Sequence, residues 1–201
     1  MAKLYFRYGA MNSGKSTALL QAAYNYEERG QQVVLTKPAV DTKGDTAIIS
    51  RLGVTREVVL VVSPQASLVE TFRAFASQVC ERTGAPIACL LVDEAQFLSR
   101  EQADDLLRVA LLEGVPVLAY GIRTDFRTDA FPGSRRLLEI AHSLEELKTI
   151  CRCGRKALFN GRLVDGVFVF DGDQVAIDGA HVTYESLCGG CYLQESGGVL
   201  S

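Results

Sequence analysis

The run GAMNSGKST, residues 9–17, sets Gly9, Gly14, Lys15 and Ser16 at the spacing G-x-x-x-x-G-K-S. Glycines let the backbone turn its N–H groups inward onto oxyanions, and a helix opening just behind them adds the positive end of its dipole. Lys15 can neutralise charge on the β- and γ-phosphates, and Ser16 can offer a hydroxyl to Mg²⁺. Asn12, Ser13 and Thr17 complete the cradle. Such a loop holds a nucleotide without saying what receives the phosphate. A second group lies in LLVDEAQF, residues 90–97, where an apolar run ends in Asp93 and Glu94. Asp93 suits a Mg²⁺ seat. Glu94 is then left either to polarise a water or to take a proton from a substrate hydroxyl, which separates a hydrolase from a kinase.

A third group is made of cysteines. Cys151 and Cys153 in CRC, with Cys188 and Cys191 in CGGC, supply four thiolates in two arms. In a reducing compartment, paired cysteines read first as metal ligands. A Cys₄ set closes a tetrahedral zinc site with no open position, so its role is structural. The first arm has one intervening residue where two is the commoner spacing. Of the two histidines, His142 reads as an ordinary surface or packed residue, and His181 lies near the second arm.

The elements that must position these groups alternate. Leu4, Phe6 and Tyr8 predict a short strand entering the phosphate loop, and residues 16–29 a helix stopped by Gly30. Strands are expected at 33–36, 58–62, 87–92 and 115–121, and helices at 67–82 and 99–113, the last opened by a Ser99/Gln102 capping box. Residues 37–53, with Pro38, Gly44, Gly53 and scattered charge, read as a long loop. The pattern predicts an α/β fold, a parallel sheet of the P-loop NTPase type with helices on both faces. Ligands of such sheets gather at the carboxyl ends of the strands, where Gly9, Asp93 and Gly121 fall. Beyond Cys151 the chain turns glycine-rich with short alternating runs such as VFVF, which predicts a small β-rich zinc-binding module. The division is therefore 1–149 for the nucleotide-binding domain, 150–192 for the module, and 193–201 for a disordered tail.

Composition narrows the function classes. Of 201 residues, 48 % are hydrophobic, enough for a real core. A formal net charge of −3 argues against a dedicated nucleic-acid binder, which would carry a basic face. No apolar run approaches the length of a membrane span. The N-terminus runs straight into the phosphate motif without a signal peptide, so a cytoplasmic protein is expected.

Phosphate loop, DEAQF and split cysteine pairs, in this order, resemble the type II, zinc-containing thymidine kinases. The segments YGAMNSGKST, LLVDEAQF, YGIRTDFRTDAFPGS, ICRCGRKA and GAHVTYESLCGGC carry the likeness over about residues 3–192. The resemblance implies transfer of the ATP γ-phosphoryl to the 5′-hydroxyl of thymidine, with deoxyuridine as a second substrate, Mg²⁺ accompanying ATP and a structural Zn²⁺. It makes Glu94 the general base. It places the thymine against backbone groups of Val175, Ala176, Ile177, Asp178 and Gly179, leading to Tyr184. Met11, Phe97 and Phe126 would line the base pocket, and Gln96 would touch the sugar or the acid network. Asp41 and Arg51 would belong to a phosphate lid. It further implies a homotetramer inhibited by dTTP. AIDGAHVTY is one residue longer than the form expected between glycine loop and tyrosine, and the first cysteine arm is C-x-C where many members have C-x-x-C.

Two other readings compete. A DNA-linked ATPase of helicase or recombinase type would use the same loop and acids, yet leaves the small size, acidic balance and cysteine module without a purpose. A non-catalytic zinc-ribbon protein on a relic nucleotide fold would have no need of Lys15, Ser16, Asp93 and Glu94 together.

Overall fold

The computed structural model describes residues 1–39, 47–49, 53–174 and 181–200. Strand β1 (Leu4–Gly9) runs into the phosphate loop and helix α1 (Lys15–Glu27) leaves it. Gly14, at φ 77°, makes the left-handed turn into that helix, a conformation that costs a residue with a Cβ. Strand β2 (Gln32–Pro38) is followed by the antiparallel pair β3 (Ala47–Ile49) and β4 (Thr55–Glu57), then by β5 (Leu60–Val62). Helix α2 (Leu68–Thr83) is opened by the Ser67 side chain, which accepts the Glu70 N–H, and closed by Gly84 at φ 71°. Strand β6 (Ile87–Val92) carries the paired acids at its end. Helix α3 (Arg100–Leu112) has the expected reciprocal capping box of Ser99 and Gln102. Strand β7 (Val117–Ile122), helix α4 (Pro132–Ile140) and strand β8 (Ser143–Glu146) complete this part.

Six of these strands form one sheet in the order β5-β2-β6-β7-β1-β8, and every pairing is parallel. Alternation along each strand divides the core. Phe6, Leu90, Val92, Val117 and Ala119 pack with Phe72 of α2, Leu106 of α3 and Leu137 of α4. Leu35, Cys89, Leu91, Leu118 and Tyr120 pack with Leu19, Leu20 and Ala23 of α1. Both faces are covered, as a sheet of buried parallel strands requires. Among the described residues no helix is long and apolar enough to cross a membrane.

Three local expectations change. The segment 37–53 is not loop throughout: Lys37 and Pro38 extend β2, and residues 47–49 form β3. Burial of Ile48 in the α1-side core, and the Arg56–Glu27 ion pair at 2.6 Å, hold this hairpin against α1. The region between 121 and 151 contains α4 and β8, neither anticipated. Strand β8 is SLEE, poor in β-formers, and it exists because β1 offers it a free edge.

The remainder of the chain is antiparallel. Strands β9 (Thr149–Ile150) and β10 (Lys156–Ala157) flank the first cysteine arm. Strands β11 (Phe159–Val164), β12 (Val167–Val169) and β13 (Val182–Leu187) form a sheet in the order β12-β11-β13. Helix α5 (Gly189–Glu195) starts at Cys188 and carries regular structure into the segment assigned to a tail, because LQE is made of good helix formers. A small core of Cys151, Ala157, Leu187, Cys188 and Tyr192, with Phe159, Phe168 and Phe170 against it, holds these pieces together.

Candidate active site

The phosphate loop closes tightly on itself. Lys15 Nζ donates to the Ala10 carbonyl at 2.9 Å and lies 3.4 Å from Ser13 Oγ. A Cβ at Gly9 would stand 2.5 Å from the Leu147 carbonyl oxygen and would run into Ser13 Oγ, so glycine is required by the close approach of the backbone at 147 and of the loop's own serine. Ser16 Oγ reaches 3.4 Å from Asp93 Oδ2, across the gap between α1 and the end of β6. Those two oxygens face the same space, and their chemistry suits a hard cation. Burial pushes the Asp93 carboxyl up to about 7, the Glu94 carboxylate adds to this, and Lys15 and Ser16 oppose it. A buried anion of this kind gains most from a bound cation.

Glu94 leaves the strand with φ 48°, a left-handed conformation rare for a side-chain-bearing residue and found where surrounding structure enforces it. The single 3₁₀ turn Ala95–Phe97 follows at once. Gln96, buried to 2 % exposure, donates through Nε2 to the Glu94 carboxylate and accepts the Ile122 N–H through Oε1 at 3.2 Å. The carboxylate is thus oriented from the end of β7. Gly121 makes this possible, since a Cβ there would come within 2.8 Å of Gln96 Oε1. Gln96 thus bonds the Glu94 carboxylate directly.

The aromatic residues divide. Phe97 is half-buried and meets Phe131 edge-on, with ring centroids 5.5 Å apart. Phe131 escaped the sequence reading; its place just before α4 was hidden because that helix itself went unread. Phe126 is buried to 1 % exposure, with the Arg162 guanidinium 3.7 Å above its ring and its carbonyl accepting the Tyr192 hydroxyl at 2.8 Å. Its packing joins two parts of the chain. Tyr184 lies half-buried on β13, in register with Arg162 of β11. Met11 is half-buried in the phosphate loop. Asp41, Arg51 and residues 175–179 lie outside the described residues. His142 Nδ1 accepts the Leu4 N–H at 3.0 Å, a packing contact, and His181 is exposed.

Asp125 shapes the loop after β7. It is 3 % exposed, and its Oδ1 accepts the N–H groups of Arg127 at 2.8 Å and Asp129 at 2.9 Å, around Thr128 at φ 75°. Asp125→Ala is expected to cost about 2 kcal/mol in a denaturant titration by stranding both donors. Asp125→Asn keeps the accepting oxygen and should recover most of that loss; equal losses in the two variants would refute this assignment.

The four cysteines converge. One sulfur from each lies within 4.8 Å of all the others, and Cys153 Sγ is 3.5 Å from Cys188 Sγ. A tetrahedron with metal–sulfur bonds of about 2.3 Å has edges of about 3.8 Å, so the spacing fits a metal ion. The Cys191 N–H points at Cys188 Sγ at 3.5 Å and draws that thiol down to about 6, whereas neighbouring sulfurs, Cys153 foremost, push Cys191 up to about 12.

A nucleotide loop at the carboxyl end of a parallel sheet, with Ser16 facing Asp93 and an oriented carboxylate beside them, defines a P-loop nucleotide-binding protein. Comparison with known proteins narrows the class. The family described as Thymidine kinase matches residues 2–192. Curated relatives with the name thymidine kinase include those of Legionella pneumophila (strain Lens), 47 % identical over 94 % of this chain and 88 % of its own, and of Ruegeria pomeroyi, 48 % identical over 94 % and 92 %. The thymidine kinase of enterobacteria phage T4 is 44 % identical over 94 % of each chain. The chain belongs to the thymidine kinase family.

Proposed function

We propose that this protein transfers the γ-phosphoryl group of ATP to the 5′-hydroxyl of thymidine, giving dTMP and ADP, with deoxyuridine as a second acceptor. The observation that carries this reading is the separation of tasks between adjacent acids: Asp93 turns toward Ser16, and Glu94 is held by Gln96. One acid is thereby spent on the cation and the other is free for a proton. In the reaction the acceptor oxygen forms a bond to the γ-phosphorus as the bridging oxygen bond to ADP breaks. Glu94 takes the hydroxyl proton and releases it to solvent. Lys15 and the amides of residues 12–17 hold and neutralise the phosphates. Mg²⁺, seated by Ser16 and Asp93, supplies charge neutralisation when bound.

Zn²⁺ is the metal we assign to Cys151, Cys153, Cys188 and Cys191, as a closed structural ion. Residues 150–192 then act as one module beside the nucleotide domain of residues 1–149, with Phe97 and Tyr184 facing the nucleoside. A cytoplasmic homotetramer inhibited by dTTP completes the reading, on family grounds. A single assay tests it: purified protein with ATP, Mg²⁺ and each nucleoside in turn. ADP release that depends on thymidine is expected. Release unaffected by any pyrimidine deoxynucleoside, or stimulated by DNA instead, would overturn the proposal.

A further inference from the structure

The described part of the cysteine-bearing region does more than stand beside the nucleotide fold; it grips the phosphate loop. Asn160 on β11 and Ser186 on β13 face each other directly in the antiparallel register. Both are buried, at 2 % and 6 % exposure. Their side chains take the two polar groups of one loop residue: Asn160 Oδ1 accepts the Met11 N–H at 2.7 Å, and Ser186 Oγ donates to the Met11 carbonyl. The remaining half of the Asn160 amide donates to the Thr124 carbonyl at 2.9 Å, fixing its orientation from the loop after β7. Thr149 Oγ1 adds a weaker contact to the Asn12 carbonyl at 3.4 Å.

These contacts fall where the loop needs help. Asn12 stands at φ 67°, a left-handed conformation that asparagine adopts more readily than most side-chain-bearing residues but that is still less favoured than the right-handed one. A polyphosphate is recognised by the direction of backbone N–H groups, so a loop that relaxes at Met11 or Asn12 loses preorganisation. We propose that the cross-strand pair Asn160 and Ser186 are positioning residues for the phosphate loop, so that the sheet of β11, β12 and β13 sets the affinity for the nucleoside triphosphate. The inference rests on the reading of the loop as an ATP site, and it concerns the donor side of the reaction, not the nucleoside.

The test is calorimetric titration of the full-length protein with a non-hydrolysable ATP analogue and Mg²⁺, without any nucleoside, beside a thermal melt of each variant. Ser186→Ala removes the donor to the Met11 carbonyl and should weaken the analogue roughly ten-fold, the scale of one buried hydrogen bond and the partner it strands. Ser186→Thr keeps a hydroxyl on a strand position and should restore binding. Asn160→Ala should weaken the analogue further, with Ser186→Ala as the milder variant if it does not fold. A purely structural role would lower the melting temperature while leaving the dissociation constant of the folded fraction unchanged. Unaltered analogue affinity in folded Ser186→Ala would therefore overturn the proposal. Because no nucleoside is present, the outcome is independent of whether thymidine is the acceptor.

Discussion

Glu94→Gln is expected to lower kcat by about 10² to 10⁴, the range carried by a positioned general base, while the affinity for ATP with Mg²⁺ stays within a few-fold of the parent. Glutamine keeps the length of the side chain and one oxygen able to accept from Gln96 Nε2. The left-handed backbone at residue 94 and the buried Gln96–Ile122 hydrogen bond do not depend on the charge. What disappears is the capacity to accept the hydroxyl proton. Single-turnover measurement of dTMP formation, with analogue binding by calorimetry, separates the two effects. Turnover within five-fold of the parent would remove Glu94 as the base and return attention to Asp93.

Cys188→Ser should cost the bound metal and, with it, the order of the cysteine-bearing region. The substitution is informative because Cys188 does two things. Its sulfur faces the other three, and its side chain caps α5 by accepting the Cys191 N–H. Serine is itself a favoured N-cap, so the helix start survives and the loss falls on the metal. Closed zinc sites contribute apparent binding energies of about 10 kcal/mol or more in small domains. Metal analysis should show about one ion per chain in the parent and close to none in the variant. The apparent thymidine KM should rise by about ten-fold or more. Full metal content with ordinary kinetics would end the assignment of these four residues.

The sequence reading was strongest where physics is local. The glycine and lysine spacing of the phosphate loop, the Ser99/Gln102 capping box and the apolar run into Asp93 each carry their own signal within a few residues. The cysteine set was legible because two close pairs of thiols carry the spacing of a metal-ligand set. What escaped depends on distant partners. Strand β8 has the composition of a loop and is a strand because of β1. The burial of Phe126 beneath Arg162 depends on a residue 36 positions later, which RTDF cannot show. Asn160 lies outside every quoted segment, and Ser186 has no assigned role within GAHVTYESLCGGC; only their register across β11 and β13, and the arrival of Met11 between them, makes them a pair.

Leu147 pressed against Gly9 has a bearing on biosynthesis. The glycine that opens the phosphate loop meets a carbonyl from residue 147, Tyr8 offers its own carbonyl to the Leu147 N–H at 2.7 Å, and Met11 waits for groups at 160 and 186. The phosphate loop thus precedes by 149 and 175 residues the groups that fix it. A nascent chain must hold an incomplete nucleotide cradle until residues 160 and 186 have emerged, since closing such long spans is the slow part of assembling a fold.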